Sequence, residues 1–476
     1  MPACGLDIKC DAGVLPDLSH VWRQRHESNA ALLARLFEDV NATALHKIAL
    51  SDAELGRMTA PCRVSDMDLS ELRLVPRFAV VQGVLADGSP KIRAVDHFSW
   101  SVVTSPSVKR KRTRKEMKDD SVNGHTGMQE RVRHDHLDDL ARAMRECWHA
   151  FGEAPGVWKA DVDAAFRRIP VRPIHRWAAG VAYVADGDVW VSRHCGMPFG
   201  ATASVFAWHR VGALICAIAR SLFKMPVFRY VDDFFAAERS ATAEHSMQVF
   251  ARLTRLLLGQ SAIADRKLEF GAQLPVLGML VQPCSEGVRF TLCREKSTKW
   301  ISEIDDALSI GRLECGAADK LAGRLMWSTQ HLFHRCSLCA QLGSHVFCVC
   351  LYVLRFGRAM IKAVYAQKFS RSGAISSRLR AALVWWKAVL ANSCAETYPW
   401  VEDNSSPARL FVDAASTPPR CAAVLFVDGA FKYTDVRPPS WWFDGLQARS
   451  DNQIMTLVCL FRGAPFGTVF LVSYRK

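Results

Sequence analysis

The chain has 476 residues, half of them hydrophobic, with a formal net charge of +14 and a pI near 9.2. That length and apolar content exclude a disordered basic tail and leave room for roughly two to four folded modules. A basic excess of this size attracts a polyphosphate backbone through counterion release, whatever its sequence. The start, Met1-Pro2-Ala3-Cys4-Gly5, lacks a charged-then-apolar signal pattern. No continuous apolar run reaches the ~18 to 20 residues of a membrane span. The expectation is an intracellular protein, nuclear or cytoplasmic, with no membrane partner and with its sixteen cysteines reduced.

Residues 1–75 read as helical, with Leu32-Leu33-Ala34-Arg35-Leu36-Phe37 as one amphipathic patch. In Gly88-Ser89-Pro90-Lys91-Ile92-Arg93-Ala94-Val95-Asp96, the two cations Lys91 and Arg93 stand at period two and share one face of a strand. That suits an anion clamp, and equally a charged edge strand. The basic run Lys109-Arg110-Lys111-Arg112-Thr113-Arg114-Lys115 lies in a polar loop. It is a nuclear localisation signal, a phosphate-binding patch or a solvated loop with neither role.

Val157-Trp158-Lys159-Ala160-Asp161 is an apolar strand ending in an acid, followed by Val162 and, further on, by Phe166-Arg167-Arg168-Ile169-Pro170. Cys195-Gly196-Met197-Pro198-Phe199-Gly200 opens an amphipathic helix. There Gly200 permits close backbone approach and the helix N-terminus favours negative charge. Phe228-Arg229-Tyr230-Val231-Asp232-Asp233-Phe234-Phe235 reads as a tight hairpin with two adjacent carboxylates at its tip, 71 positions beyond Asp161. Such neighbours repel, and hard oxygen donors at a turn suit Mg²⁺. A lysine-bearing turn, Ala264-Asp265-Arg266-Lys267, and a second hairpin, Pro275-Val276-Leu277-Gly278-Met279, follow.

Lys320–Trp327 and Leu379–Trp386 have helical apolar spacing. Val346–Leu354, the longest apolar run, is too short for a membrane and fits a buried helix. His331, His334, Cys336 and Cys339 have zinc-like spacing but no second ligand knuckle, so helix packing is the preferred reading. Arg409–Ser416 and Ala422–Phe426 read as strands of a new α/β unit.

In order and spacing these elements resemble the reverse transcriptase family. Asp161 with Phe166 and Ile169-Pro170 is similar to its first palm motif, Met197-Pro198-Phe199-Gly200 to the next, and Tyr230-Val231-Asp232-Asp233 to its Tyr-x-Asp-Asp hairpin. The resemblance implies an α+β right-hand polymerase: fingers over 76–155, a ferredoxin-like palm over 156–285, and a mostly helical thumb and connection over 286–400. It leaves 1–75 unassigned. It further implies two Mg²⁺ ions, or Mn²⁺, at Asp161, Asp232 and Val162, with Asp233 as a less direct carboxylate. Lys267 would act on the departing pyrophosphate. Lys91, Arg93, Phe199 and Gly200 would bind the dNTP, Phe166 would leave no room for a 2′-hydroxyl, and Leu277 and Gly278 would grip the primer end. The partners implied are an RNA or DNA template with its primer, and dNTPs.

The helical part resembles that of tyrosine-recombinase-type (DIRS-like) retroelements. Residues 408–476 resemble part of a ribonuclease H domain, with Asp413 as its first metal-binding acid. The next helix carries Gln453 and Val458 where a Glu is needed, and the chain stops before a further acidic strand, so an inactive remnant is expected. Two rivals to a DNA polymerase stand beside it: an RNA-dependent RNA polymerase, and a decayed or domesticated nucleic-acid binder without catalysis.

Overall fold

The computed structural model describes residues 18–84, 87–102, 120–126, 131–332, 360–370, 372–391, 395–401, 409–416, 419–427 and 430–436. The basic run at 109–115, the apolar run at 346–354, His334, Cys336, Cys339, Gln453 and Val458 lie outside the described residues. By its internal contacts the chain forms two compact units. The first comprises 1–136, 159–236 and 244–269, and the second 137–158, 237–243 and 270–476.

The described residues of the first unit begin with helices α1 (Ser19–Arg23), α2 (Arg25–Leu33) and α3 (Ala42–Glu54). Leu32 of α2 packs with Leu72 and Leu74, and Leu45 and Ala49 of α3 with Ala94 and Tyr183. These contacts fix both helices on one five-stranded sheet. Its strands are β1 (Cys62–Arg63), β2 (Leu74–Val84), β3 (Pro90–Asp96), β5 (Gly180–Ala185) and β6 (Asp188–Arg193), in the order β1-β6-β5-β2-β3. Strand β3 is an edge strand with Lys91 and Arg93 exposed on one face and Ala94 and Asp96 buried. Beside this sheet the Asp120 carboxylate gathers Arg73 at 3.1 Å, the Val102 N–H at 2.9 Å and the hydroxyls of Ser28 and Ser101.

A second sheet is built by the succession β4 (Gly156–Asp161), α5 (Thr202–Phe223), β7 (Val227–Tyr230), β8 (Asp233–Glu238), α6 (Ala243–Leu258) and β9 (Leu268–Gly271). Its strand order is β7-β8-β4-β9. A β-α-β-β-α-β succession with the first strand inside is the split arrangement of ferredoxin-like sheets. Helix α5 shows why these residues fold here: Ala203, Ala207, Val211, Ile215 and Ala219 recur every four positions and are buried. Leu214, Leu222 and Phe223 on the same helix are exposed. By length and composition alone α5 is apolar enough to cross a membrane, with half of its most apolar window buried. A search for unbroken apolar runs passes over it because His209, Arg210 and Arg220 interrupt the run.

In the second unit, α4 (Leu137–Phe151) runs beside a four-stranded antiparallel sheet of order β10-β11-β12-β13, formed by β10 (Leu274–Val276), β11 (Met279–Pro283), β12 (Gly287–Leu292) and β13 (Ala395–Pro399). Trp148 of α4 stacks on Trp400 with ring centroids 5.6 Å apart, and Arg145 donates to the Pro399 carbonyl at 2.9 Å. Strand β13 is an addition to a stretch expected to be mostly helical. Its Tyr398 packs on Phe290 of β12, a pairing more than 100 residues apart that no local pattern announces. Helices α7 (Arg294–Ile310), α8 (Cys315–Leu332) and α9 (Ser377–Ala391) supply the expected helical character. Strands β14 (Arg409–Ser416), β15 (Pro419–Val427) and β16 (Ala430–Val436) form an antiparallel meander in which Asp413 pairs in register with Ala422.

Candidate active site

The hairpin between β7 and β8 pairs Tyr230 with Asp233, so its two-residue turn is Val231-Asp232. The tip therefore carries Asp232 alone, and Asp233 opens the return strand. This corrects the expectation of two carboxylates at the tip. Val231 adopts φ 53°, a left-handed conformation that a β-branched residue rarely takes. Its carbonyl is pinned by two donors, the indole N–H of Trp208 at 2.8 Å and the Arg229 guanidinium at 3.0 Å. Arg229 also donates to Nδ1 of His209 at 2.9 Å and lies along α5 where Gly212 leaves space. Tyr230 rests against His134, with ring centroids 4.7 Å apart.

The turn is tied to the end of β4. The N–H of Val162 donates to the Asp232 carbonyl at 3.1 Å, which brings Asp161 and Asp232 side by side although 71 positions separate them. Lys267, at the end of a short 3-10 turn before β9, places its ammonium 2.7 Å from Asp161 Oδ2 and 3.5 Å from Asp163 Oδ1. Burial opposes that charge, but the bonds to Asp161 and then Asp163 outweigh it and hold the ammonium above its ordinary range. Asp163 belongs to the cluster too, with Arg57 3.7 Å away. The sequence signal for Asp163 was an acid at period two from Asp161.

Both hairpin acids resist ionisation. Loss of solvation, then the charge of Asp161, raises Asp232, while Lys267 and Arg93 pull it back. Asp233, whose side chain at the start of β8 is still exposed, is pushed up to about 6 by partial loss of solvation first and then by the charges of Asp232 and Asp161. A site that crowds these carboxylates together favours a further cation. Among the described residues, no set of three or more His, Cys, Asp or Glu side chains is gathered to hold a metal by itself. The donors present, two carboxylates and backbone carbonyls, are of the hard oxygen type that Mg²⁺ takes while keeping water and phosphate ligands. They fit such an ion on condition that Lys267 yields its place on Asp161.

The remaining predicted residues flank this cluster unevenly. Phe166 and Phe199 are half-buried, with ring centroids 5.1 Å apart. The Arg93 guanidinium lies 5.4 Å from the Phe199 centroid, and that of Arg167 5.6 Å. Lys91 is two residues along the exposed face of β3 from Arg93. Gly200 has φ 93°, and a Cβ there would stand 2.1 Å from the Asp96 carbonyl oxygen. Asn123, which the sequence reading passed over, holds both sides of this turn. It donates to the Gly200 carbonyl at 2.8 Å and accepts the Thr202 N–H at 2.8 Å, capping α5 from a distant loop.

Leu277 and Gly278 belong to the second unit and form the turn between β10 and β11, with φ of 50° and 86°. Lys296 of α7 lies over that turn, its Nζ 1.9 Å from where a Gly278 Cβ would stand and 5.5 Å from the Trp327 ring.

No protein-family model matches the chain, and no curated protein matches it. Solved structures of foamy viral protease-reverse transcriptase resemble it distantly. One, in complex with double-stranded DNA, is 14% identical over 85% of this chain and 58% of its own, with a TM-score of 0.48. A second, with an RNA/DNA hybrid, is 13% identical over 90% of this chain and 48% of its own, also at 0.48. A third, with double-stranded DNA, is 15% identical over 90% and 74%, at 0.42. The chain thus spans about half of the length of the first two, and at this level of likeness nothing is carried from them to it.

Proposed function

We propose that the chain is an RNA-directed DNA polymerase of retroelement type, adding dNTPs to a primer 3′-hydroxyl by two-metal nucleotidyl transfer. The observation that carries this reading is the hydrogen bond from the Val162 N–H to the Asp232 carbonyl, which ties the acidic turn to the end of β4 next to Asp161, with Lys267 beside them. Asp161 and Asp232 would hold two Mg²⁺ ions, or Mn²⁺, with the Val162 carbonyl as a further ligand. When bound, such ions lower the pKa of the attacking hydroxyl and stabilise the leaving pyrophosphate. The primer 3′-oxygen attacks the α-phosphorus as the bond to pyrophosphate breaks. Arg93 and Lys91 bind the triphosphate. Lys267 passes from Asp161 to the departing pyrophosphate and neutralises its charge. Phe166 lies under the sugar and excludes a 2′-hydroxyl. Ribonuclease H activity is assigned to no part of the chain, since neither Gln453 nor Val458 replaces a carboxylate ligand.

Primer extension on a homopolymer template tests this reading. Wild type is expected to extend in Mg²⁺ or Mn²⁺, and Asp232→Asn to lose at least about a hundredfold in rate while still binding template, as removal of a metal ligand predicts. Salt-sensitive binding without extension in either metal would leave a nucleic-acid binder and end the polymerase reading. Phe166→Ala is expected to admit rNTPs, whereas a wild type that already prefers rNTPs is an RNA polymerase.

A further inference from the structure

Beneath the Phe166–Phe199 pair lies a cluster of charges that the reaction does not use. Arg77 and Asp96 form a pair 2.7 Å apart, His194 lies 2.9 Å from Asp96, and Arg167 lies 2.6 Å from Asp52. All five side chains are less than a tenth exposed. Burial holds the His194 imidazole down to about 4, so at neutral pH it carries no charge. Among these five side chains two guanidiniums then face two carboxylates.

Asp52 is the member that reaches furthest in sequence. It stands on α3, in the region with no assigned role, and accepts a hydrogen bond from Arg167, 115 positions downstream. The same carboxylate lies 3.9 Å from Arg57, and the Arg57 carbonyl accepts the N–H groups of Cys195 and Gly196 at 2.8 and 3.0 Å. Gly196 in turn fits tightly on Arg167, since a Cβ would meet the Arg167 carbonyl at 2.3 Å. Asp52 therefore holds the backbone that leads into Phe199 through Arg57, and the cation over the Phe199 ring through Arg167.

We infer that Asp52 is a positioning residue for the nucleotide pocket, and that α3 is a structural part of that pocket. Asp52 touches no substrate. It sets the place of Arg167, and Arg167 with Phe199 sets the place of Phe166. The inference rests on the polymerase reading for the identity of the ligand. Removing the carboxylate would let the pocket floor shift while leaving the metal-binding acids in place. Misplacement then appears first in dNTP binding and sugar selection, and less in the rate at saturation.

The test compares full-length wild type, Asp52→Asn and Asp120→Asn in steady-state primer extension with dNTP and rNTP, each checked for its unfolding midpoint. Asp120→Asn is the control, a similarly buried ion-pair acid whose partners are Arg73, Ser28 and Ser101. Asp52→Asn is expected to raise KM for dNTP about tenfold with kcat within about threefold, and to weaken discrimination against rNTP about tenfold, the scale of a displaced binding group. Asp120→Asn is expected to lower the midpoint and leave both constants alone. Wild-type KM and selectivity in folded Asp52→Asn overturn the inference, and so does an equal shift in Asp120→Asn.

Should Asp52→Asn fail to fold, because Arg167 is left as an unpaired buried charge, Arg167→Lys decides. It keeps the charge pair but loses the planar fork over Phe199. The same rise in KM supports the inference, and wild-type constants overturn it. Binding of the next dNTP to a dideoxy-terminated primer–template complex gives a readout free of turnover. Weaker binding in the variant supports the inference, equal binding overturns it, and no binding by wild type defeats the polymerase reading and this one together.

Discussion

Asp232 and Asp233 are adjacent in the chain, yet one sits in the turn and the other opens a strand, and both are pushed toward the neutral form by lost solvation and by neighbouring carboxylates. The consequence for stability follows from proton linkage. A carboxyl whose folded pKa is about 6, against an ordinary value of 3.8, binds its proton more tightly when folded, so stability falls as pH rises from about 4 to about 6 and is level above that. Asp233→Asn removes this penalty. The variant is expected to unfold at a higher temperature than wild type at pH 7.5 without divalent ions, and the gap should close at pH 4, where the wild-type acid is protonated too. A gap of the same size at both pH values would count against the crowding of charge described here. Mg²⁺ should act in the opposite sense on wild type, raising its midpoint at pH 7.5, and should do so far less in Asp232→Asn.

At the scale of elements, helix α5 and the β7–β8 hairpin are one construction. The strained Val231 carbonyl is held by Trp208 from the helix and by Arg229 from the strand, and Arg229 keeps its course because Gly212 has no side chain. An alanine there would put its Cβ 2.7 Å from Arg229 Cδ. Gly212→Ala is expected to destabilise the chain by about 1–3 kcal/mol, the usual effect of overpacking, and to lower extension by loosening the turn that carries Asp232. Denaturant unfolding with an unchanged midpoint would show that Arg229 swings clear at no cost. The same elements show what a sequence reveals. The hairpin was legible because two short apolar runs flank an acidic turn, and α5 because its apolar residues recur every four positions. The Asn123 cap and the Asp52–Arg167 pair were not legible, since their partners lie 79 and 115 positions away and leave no local period.

For the whole molecule, the net charge of +14 makes a prediction independent of catalysis. Binding to single-stranded or duplex nucleic acid is expected to weaken by about 10³-fold or more between 50 and 200 mM salt if six or more phosphates are contacted. A flat response in a filter-binding titration would remove the electrostatic part of the reading. The contacts divide the chain into two units that are each discontinuous in sequence. Residues 137–158 and 237–243 leave the first unit for the second, and the boundary is crossed five times, at 136/137, 158/159, 236/237, 243/244 and 269/270. No single cut releases either unit intact. During synthesis the first unit also waits for residue 269 to leave the ribosome before its last strand can be placed, and apolar surface on strands already made stays open meanwhile. Expression of fragments ending before that point should yield aggregates, however soluble the complete polypeptide proves to be.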